Sequence, residues 1–345
     1  MWSPSFGCVV RAGGDRSWRV GHEQVDEFLA FAHGRARPAT VRAYAHDLRT
    51  FFSVVAKEPA EVTSRDVLDF VVAQQRPRAG AEKVVRISDG GAGLAASTIK
   101  RRLAALSSLY GYLVTRGDVA ANPVPRGLPT RKSRHRGERG VVPLVRGVRR
   151  LPRILEPAEV EALMAALRSQ RDRAMVQAML LGGLRRCEVL GLRFEDLRLG
   201  EWRVFVAEGK GGHQRLVPVS QTCFATVARY LNRERPTDAP SDRVFVALKG
   251  RTRGGALSAE GLDEMLANAR GRAGLAHGTC HELRHTCFTR LREGGMAIEA
   301  LQAQAGHRSM ASTRVYLHLG ADWLAGEYKR AAQAIEAQAA VGAVR

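Results

Sequence analysis

A mainly α-helical chain with one small antiparallel β-sheet, divided into two domains by a basic linker, is what this sequence predicts. Three observations carry that expectation. Apolar residues recur at steps of three and four over most of the chain. Strand-like alternation is confined to one stretch around Gly-Lys-Gly-Gly, and a proline-, glycine- and arginine-rich segment separates two apolar halves.

The first half reads as all-helical from about Val25 to Val114. Between Arg37 and Lys57, the residues Val41, Tyr44, Leu48, Phe51, Phe52 and Val55 form one apolar stripe, with Pro38 and Thr40 where a helix start belongs. Val62 to Gln74 reads as a shorter helix opened by Thr63 or Ser64. Ile99, Leu103, Leu106, Tyr110 and Leu113 form another stripe behind Ser97 and Thr98, either of which can cap it. Arg76 to Ala96, rich in Gly and Ala, reads as a loop. From Gly117 to Arg153 arginines are dense and only Asp118 and Glu138 oppose them. That composition suits a tether that orders along phosphates. After Ile154, helices are expected from near Glu156–Ala158, over the RDRAMVQAMLL run, and at 258–272, 281–293 and 321–340. A hairpin spans Glu201–Val219, and a third strand is expected at Arg243–Ala247. The resulting division is an N-terminal extension (1–21), a helical domain (22–116), a linker (117–153), a second domain (154–320) and a helical tail (321–345).

Charge narrows the partner. Lys and Arg number 54 against 34 Asp and Glu, a net +20, which calls for a polyanion and disfavours an acidic small-molecule enzyme or a membrane-embedded channel. No apolar run approaches the roughly 18 residues of a membrane helix, and the first twenty residues have no signal-peptide core. Five scattered cysteines (Cys8, Cys187, Cys223, Cys280, Cys287) with no CxxC pair fit a reducing compartment, so a cytoplasmic protein that meets nucleic acid is expected.

Four segments can carry chemistry. In Gly183-Leu184-Arg185-Arg186-Cys187-Glu188 an arginine follows an apolar helix and a Gly pair, with Glu188 three positions on to brace it. Glycines around Lys210 in Glu208–Arg215 make a tight turn with an ammonium at its tip, suited to a phosphate or a leaving oxygen. His281-Glu282-Leu283-Arg284-His285 is literally HExxH, a zinc-protease pattern. On the same helix His281 and Arg284, three apart, can instead grip one phosphate. Finally, Gly306-His307 precedes Tyr316 by a span short enough for a turn to return the hydroxyl toward the histidine.

Taken together, GLRRCEVLGL, EGKGGHQRLVPV, HELRHTCFTRL and AGHRSMASTRVYLH resemble the four signature boxes of the tyrosine recombinase (phage integrase-type, Xer-like) family, in that family's order. The helical half is similar to the family's core-binding, SAM-like domain, so the likeness runs from Val25 to about Tyr328. The resemblance implies a DNA breaking-rejoining catalytic domain and explains HELRH as a His-x-x-Arg box rather than a zinc site. It implies Tyr316 as nucleophile, Arg185 and Arg284 as phosphate clamps, Lys210 as general acid, and His281 and His307 as supporting donors or proton-transfer groups. The expected reaction forms a 3′-phosphotyrosyl link with no cofactor, metal or ATP. Its expected substrate is duplex DNA with an inverted-repeat core site, held by a homo-tetramer, and a mobile element is the expected user; Xer-like dimer resolution is the alternative. A non-catalytic DNA-binding protein on the same scaffold, or a type IB topoisomerase, would be the rival class. Departures are small: Gly182 where the family often has Thr or Ser, Ala305 where it has Leu, and Cys187 beside the site. Arg42, Lys100, Arg101 and Arg102 are expected to face DNA.

Overall fold

The computed structural model describes residues 2–10, 16–76, 93–129, 141–146, 152–207, 214–307, 309–317, 328–329 and 332–333. The chain separates into two compact units, Met1–Arg149 and Arg150–Arg345.

The first unit opens with a feature that the apolar pattern did not disclose. Strands β1 (Gly7–Val10) and β2 (Arg16–Arg19) pair antiparallel, Gly7 opposite Arg19 and Val10 opposite Arg16. Aromatic contacts fasten this hairpin to the helices: Trp2 packs on Phe52 and His22, Phe6 stacks on His46 and Trp18, and the Arg42 guanidinium lies over Trp18 at 5.3 Å.

Helices α1 (Glu23–His33), α2 (Pro38–Val55), α3 (Ser64–Gln75) and α4 (Ala96–Arg116) bury the three-and-four-spaced residues, among them Phe28, Leu48, Phe51, Phe52, Phe70, Leu106 and Tyr110. Pro38 sits in the first turn of α2, where its missing N–H costs nothing. Thr63 caps α3 through the Asp66 N–H, and the Asp66 carboxylate accepts from the Thr63 N–H in return. α4 starts earlier than its candidate caps: Ala95 precedes it, and Ser97 and Thr98 lie inside its first turn. The buried Tyr110 hydroxyl donates to the Pro59 carbonyl at 2.8 Å, satisfying the one polar atom that its burial would otherwise strand. A short ladder pairs β3 (Leu128–Pro129) with β4 (Val141–Val142).

The second unit surrounds α6 (Gln170–Leu181), whose Ala174, Met175, Val176 and Met179 are wholly buried against α8 (Gln221–Arg233) and α10 (Cys280–Glu293). Each buried Met or Val side chain removed from water contributes about 1.5–3 kcal/mol before entropy is counted. Around this core lie α5 (Pro157–Ala166), α7 (Arg186–Gly191), α9 (Ala259–Arg272), α11 (Ile298–Ala305) and α12 (Met310–Thr313). A 3₁₀ turn, Arg314–Leu317, follows α12. The sheet has the order β5 (Leu197–Arg198), β6 (Arg203–Val206), β7 (Arg215–Pro218), all antiparallel, with Val204 opposite Val217.

One strand expectation fails. Arg243–Ala247 makes only isolated bridges, Arg193 to Arg243 and Val246 to Ala256; the third strand is β5. Val244, Phe245 and Val246 are apolar because they fill the core, and a short buried run looks the same whether or not it joins a ladder. Of the tail from 321 onward only 328–329 and 332–333 are described, so the expected helix there lies outside the described residues, as do most of the linker and the loop at 77–92.

Candidate active site

The site begins at the sharp turn between α6 and α7. Gly183 adopts φ +65, and a Cβ there would stand 2.6 Å from two ring carbons of Phe288. Only glycine suits both the left-handed backbone and the close approach of α10. Gly183→Ala is therefore expected to destabilise the protein by about 2–4 kcal/mol, combining backbone strain and overpacking; a thermal melt measures it. The turn delivers Arg185 to the start of α7, where its N–H donates to Glu188 Oε2 at 2.8 Å and its Nη1 to Glu188 Oε1 at 2.6 Å.

Glu188 is the anion of a larger cluster. Arg215, the first residue of β7, grips both its oxygens at 2.9 and 3.0 Å, and Arg284 Nη1 lies 3.9 Å away. Burial alone would raise this carboxyl, yet the hydrogen bonds and charge of Arg215, aided by Arg185, hold it at about 2. Arg284, from the middle of α10, is almost fully buried and donates to the carbonyls of Gly183 and, at 2.6 Å, Ala305. Arg185 Nη2 reaches the same Ala305 carbonyl at 3.0 Å. One acceptor at the C-terminus of α11, where the helix dipole is negative, thus holds two guanidiniums side by side. Burial and the neighbouring Arg185 lower Arg284 to about 10, which leaves it charged at neutral pH. Three guanidiniums against one carboxylate leave two positive charges over, fixed and pre-oriented for an oxyanion.

Beside this cluster a cleft of about 570 Å³ is lined by Arg185, Cys187, Cys280, His281 and Arg284, with the Arg186–Asp263 ion pair also on its wall. The HELRH segment forms the start of α10, capped by Thr279. Glu282 turns back to accept from the N–H groups of Gly278 and Thr279 at 2.9 and 2.7 Å, which occupies it as a helix cap. Among the described residues no group of three or more His, Cys, Asp or Glu is arranged to hold a metal ion. His281 and His285 instead touch each other, Nε2 to Nε2 at 2.8 Å.

Tyr316 comes from the 3₁₀ turn after α12. Its ring packs on Phe288 and lies parallel to His307, and its hydroxyl is 2.8 Å from His285 Nδ1. At 3% exposure it is buried. Burial pushes its phenol up to about 12, against the pull of Arg284 and then Arg185. His307 Nδ1 contacts Thr313 Oγ1 at 3.0 Å, tying the histidine to the segment that bears the tyrosine.

Five of the six residues singled out by sequence, Arg185, His281, Arg284, His307 and Tyr316, therefore gather in one place; Lys210 lies outside the described residues. Two further members had no obvious signal. Arg215 lies within the EGKGGHQRLVPV segment but reads there as one charge in a strand. His285 reads as the unused half of HExxH. The four residues expected at DNA differ among themselves. Lys100 is exposed, Arg42 is stacked on Trp18, and Arg101 is paired with buried Asp47. Arg102 contacts Gln74 and lies 3.8 Å from Asp47.

The chain is similar to known proteins over most of its length. The model of the "Phage integrase family" matches residues 153–322, and that of the "Phage integrase, N-terminal SAM-like domain" matches 25–117. The tyrosine recombinase XerC of Mycobacterium tuberculosis is 30% identical over 321 residues, spanning 90% of this chain and 97% of that one. The chain belongs to the tyrosine recombinase family. As a member it is a site-specific recombinase, an enzyme that cuts DNA strands and rejoins them. The XerC of Pelobacter propionicus is 29% identical over 301 residues, 85% of this chain and 89% of that one. The recombinase fold is shared with the Tn1549 transposon integrase in complex with transposon right end DNA (TM-score 0.63, 18% identity, 89% of this chain and 99% of that one). It is shared too with the XerH site-specific recombinase bound to palindromic difH substrate (TM-score 0.62, 19% identity, 89% and 84%). Among the described residues of this recombinase, no helix is long and apolar enough to cross a membrane.

Proposed function

We propose that Tyr316 is the nucleophile and that Arg185 and Arg284 are the paired clamps on the scissile phosphate. The observation that carries this reading is the shared Ala305 carbonyl, which sets the two guanidiniums side by side in the unit that holds the Tyr316 phenol. Phosphoryl transfer places negative charge on the non-bridging oxygens, and planar forks held by backbone carbonyls meet it without reorganising. The Tyr316 oxygen attacks phosphorus, the bond to the 5′ oxygen breaks, and Lys210 returns a proton to that oxygen. His307 supports the phosphate as a hydrogen-bond donor, and His281 serves in proton transfer. One phosphoester is exchanged for another, so rejoining is the same step reversed and needs no ATP. Fixed cations fill the role that a divalent metal fills in other phosphoryl-transfer sites. Trapping covalent protein on a nicked suicide duplex tests the assignment, since a trapped adduct that survives Tyr316→Phe overturns it.

Recombining two duplexes breaks four strands. With one tyrosine per protomer, that requires four protomers on inverted-repeat sites. We read the biological use as a mobile element's, on the strength of the long basic linker; the 30% identity to XerC supports Xer-like dimer resolution as the second reading. Supplying DNA that flanks the gene, alongside a chromosomal resolution site, separates the two by which one is cut.

For the core-binding unit, Lys100→Ala is expected to reduce the salt slope of DNA binding by about one. Arg102→Ala acts differently, because it removes a cation beside Asp47 in the unit's interior. It is expected to lower the melting temperature, and calorimetry with a salt titration distinguishes the two effects.

A further inference from the structure

We propose that His285 takes the proton of Tyr316 and passes one on to His281, so that two imidazoles in series activate the nucleophile. The proposal rests on the reading of Tyr316 as nucleophile and adds to it a catalytic residue that the family boxes left unassigned.

The geometry is a single file of hydrogen bonds. Tyr316 Oη lies 2.8 Å from His285 Nδ1, and His285 Nε2 lies 2.8 Å from His281 Nε2. His281 and His285 are one turn apart on α10, so the helix itself sets their spacing, with ring centroids at 4.2 Å and planes at 77°. Exposure rises along the file: Tyr316 is buried, His285 is half-buried and His281 is exposed.

The tautomers follow from the contacts. Two imidazole nitrogens at hydrogen-bonding distance share one hydrogen. When the phenol donates to His285 Nδ1, the hydrogen of the neutral ring sits on Nε2 and points at His281 Nε2. All donors then run in one direction, from the buried oxygen to the exposed ring.

Electrostatics explain why two rings are needed. Burial, then the charges of His281, Arg284 and His307, hold His285 down to about 4, with Glu282 opposing. Tyr316, from the segment after α11, faces it as well. At neutral pH His285 is therefore an empty acceptor. It is also a poor place to leave a proton, by a factor of about 300 relative to an ordinary histidine. Passing the proton on carries the charge outward to the exposed ring of His281.

The step balances. The O–H bond of Tyr316 breaks and an N–H bond forms at His285 Nδ1. The Nε2–H bond of His285 breaks and one forms at His281 Nε2. His285 ends neutral in its other tautomer and His281 ends as the cation. The tyrosine oxygen bonds to phosphorus as the 5′ oxygen leaves.

The test is single-turnover cleavage of a nicked suicide duplex by the full chain, comparing wild type, His285→Ala, His285→Asn and Tyr316→Phe. The Asn amide oxygen falls near the position of Nδ1, so it can accept the phenol's hydrogen bond but cannot relay a proton. The relay predicts that both His285 variants bind DNA normally and cleave at least about 100-fold more slowly. Their rates should climb with pH from 7 to 9 as hydroxide replaces the missing base. A 5′-bridging phosphorothioate, whose thiolate leaves without an acid, should restore Lys210→Ala and not the His285 variants. Near-wild-type cleavage by His285→Asn would reduce His285 to a positioning role, and faster cleavage by either variant would make it a restraint; both results overturn the relay. Failure of the underlying reading is distinct, because it shows as covalent adduct from Tyr316→Phe.

Discussion

Tyr316→Phe is expected to abolish covalent attachment to DNA, a loss of at least about 10⁴-fold, while leaving DNA affinity and melting temperature close to wild type. The removed atom is one hydroxyl, and the ring contacts with Phe288 and His307 do not involve it. The hydroxyl's cost to folding is also small, since its partner His285 is only half-buried. The same site predicts a pH dependence. With the phenol pushed up to about 12, roughly one molecule in 10⁵ carries phenolate at pH 7. Cleavage by unassisted phenolate would rise tenfold per pH unit across the whole neutral range. Cleavage assisted by an imidazole base instead levels off once that base is neutral. A flat wild-type profile above pH 7, measured by adduct formation on a suicide duplex, is the expected result.

The fold was legible where a physical rule acts locally. The stripes at 41–55 and 99–113 became α2 and α4 because three-and-four spacing makes one buried face, and Thr63 and Ser258 mark helix starts because their side chains cap. It was illegible where the cause lies elsewhere in the chain. The β1–β2 hairpin is held through Trp18, which meets Phe6 and Arg42, and through Trp2 and Phe6 just before it, which meet residues 22, 46 and 52; no short-range pattern announces those contacts. Val244–Val246 shows the converse, a run whose apolar character reports burial and not pairing. In the site, Arg185, Arg284 and Tyr316 could be named from their ordered boxes. His285 and Arg215 could not, because what distinguishes them is a partner: a phenol 31 residues away and a carboxylate 27 residues away.

Glu188→Ala is expected to be the most damaging substitution to stability in the catalytic unit. The Glu188 side chain is 1% exposed and accepts from Arg185 and, through both oxygens, from Arg215, with Arg284 at 3.9 Å. Removing it leaves three guanidiniums facing one another without an anion, and breaking a buried pair in this way costs about 3–5 kcal/mol. A second route gives a similar figure. The carboxyl is held at about 2 against an ordinary 4.5, a gap worth about 3 kcal/mol at neutral pH. The sign is that of a depressed acid: the stabilisation is complete above about pH 4.5 and is lost as pH falls toward 2. A melting temperature lower by about 6–20 °C at pH 7 is expected for a unit of this size. The deficit should shrink in acid, where wild type loses the same carboxylate. Inorganic phosphate should also restore the variant more than it stabilises wild type, because the orphaned cations gain most from an oxyanion. Glu188→Gln, which keeps a carbonyl acceptor without the charge, should fall between the two. Calorimetric melts across pH with and without phosphate check all four outcomes. Equal melting temperatures for Ala and Gln would mean that the negative charge, rather than the packing and the carbonyl acceptor that Gln retains, is what holds the cluster together.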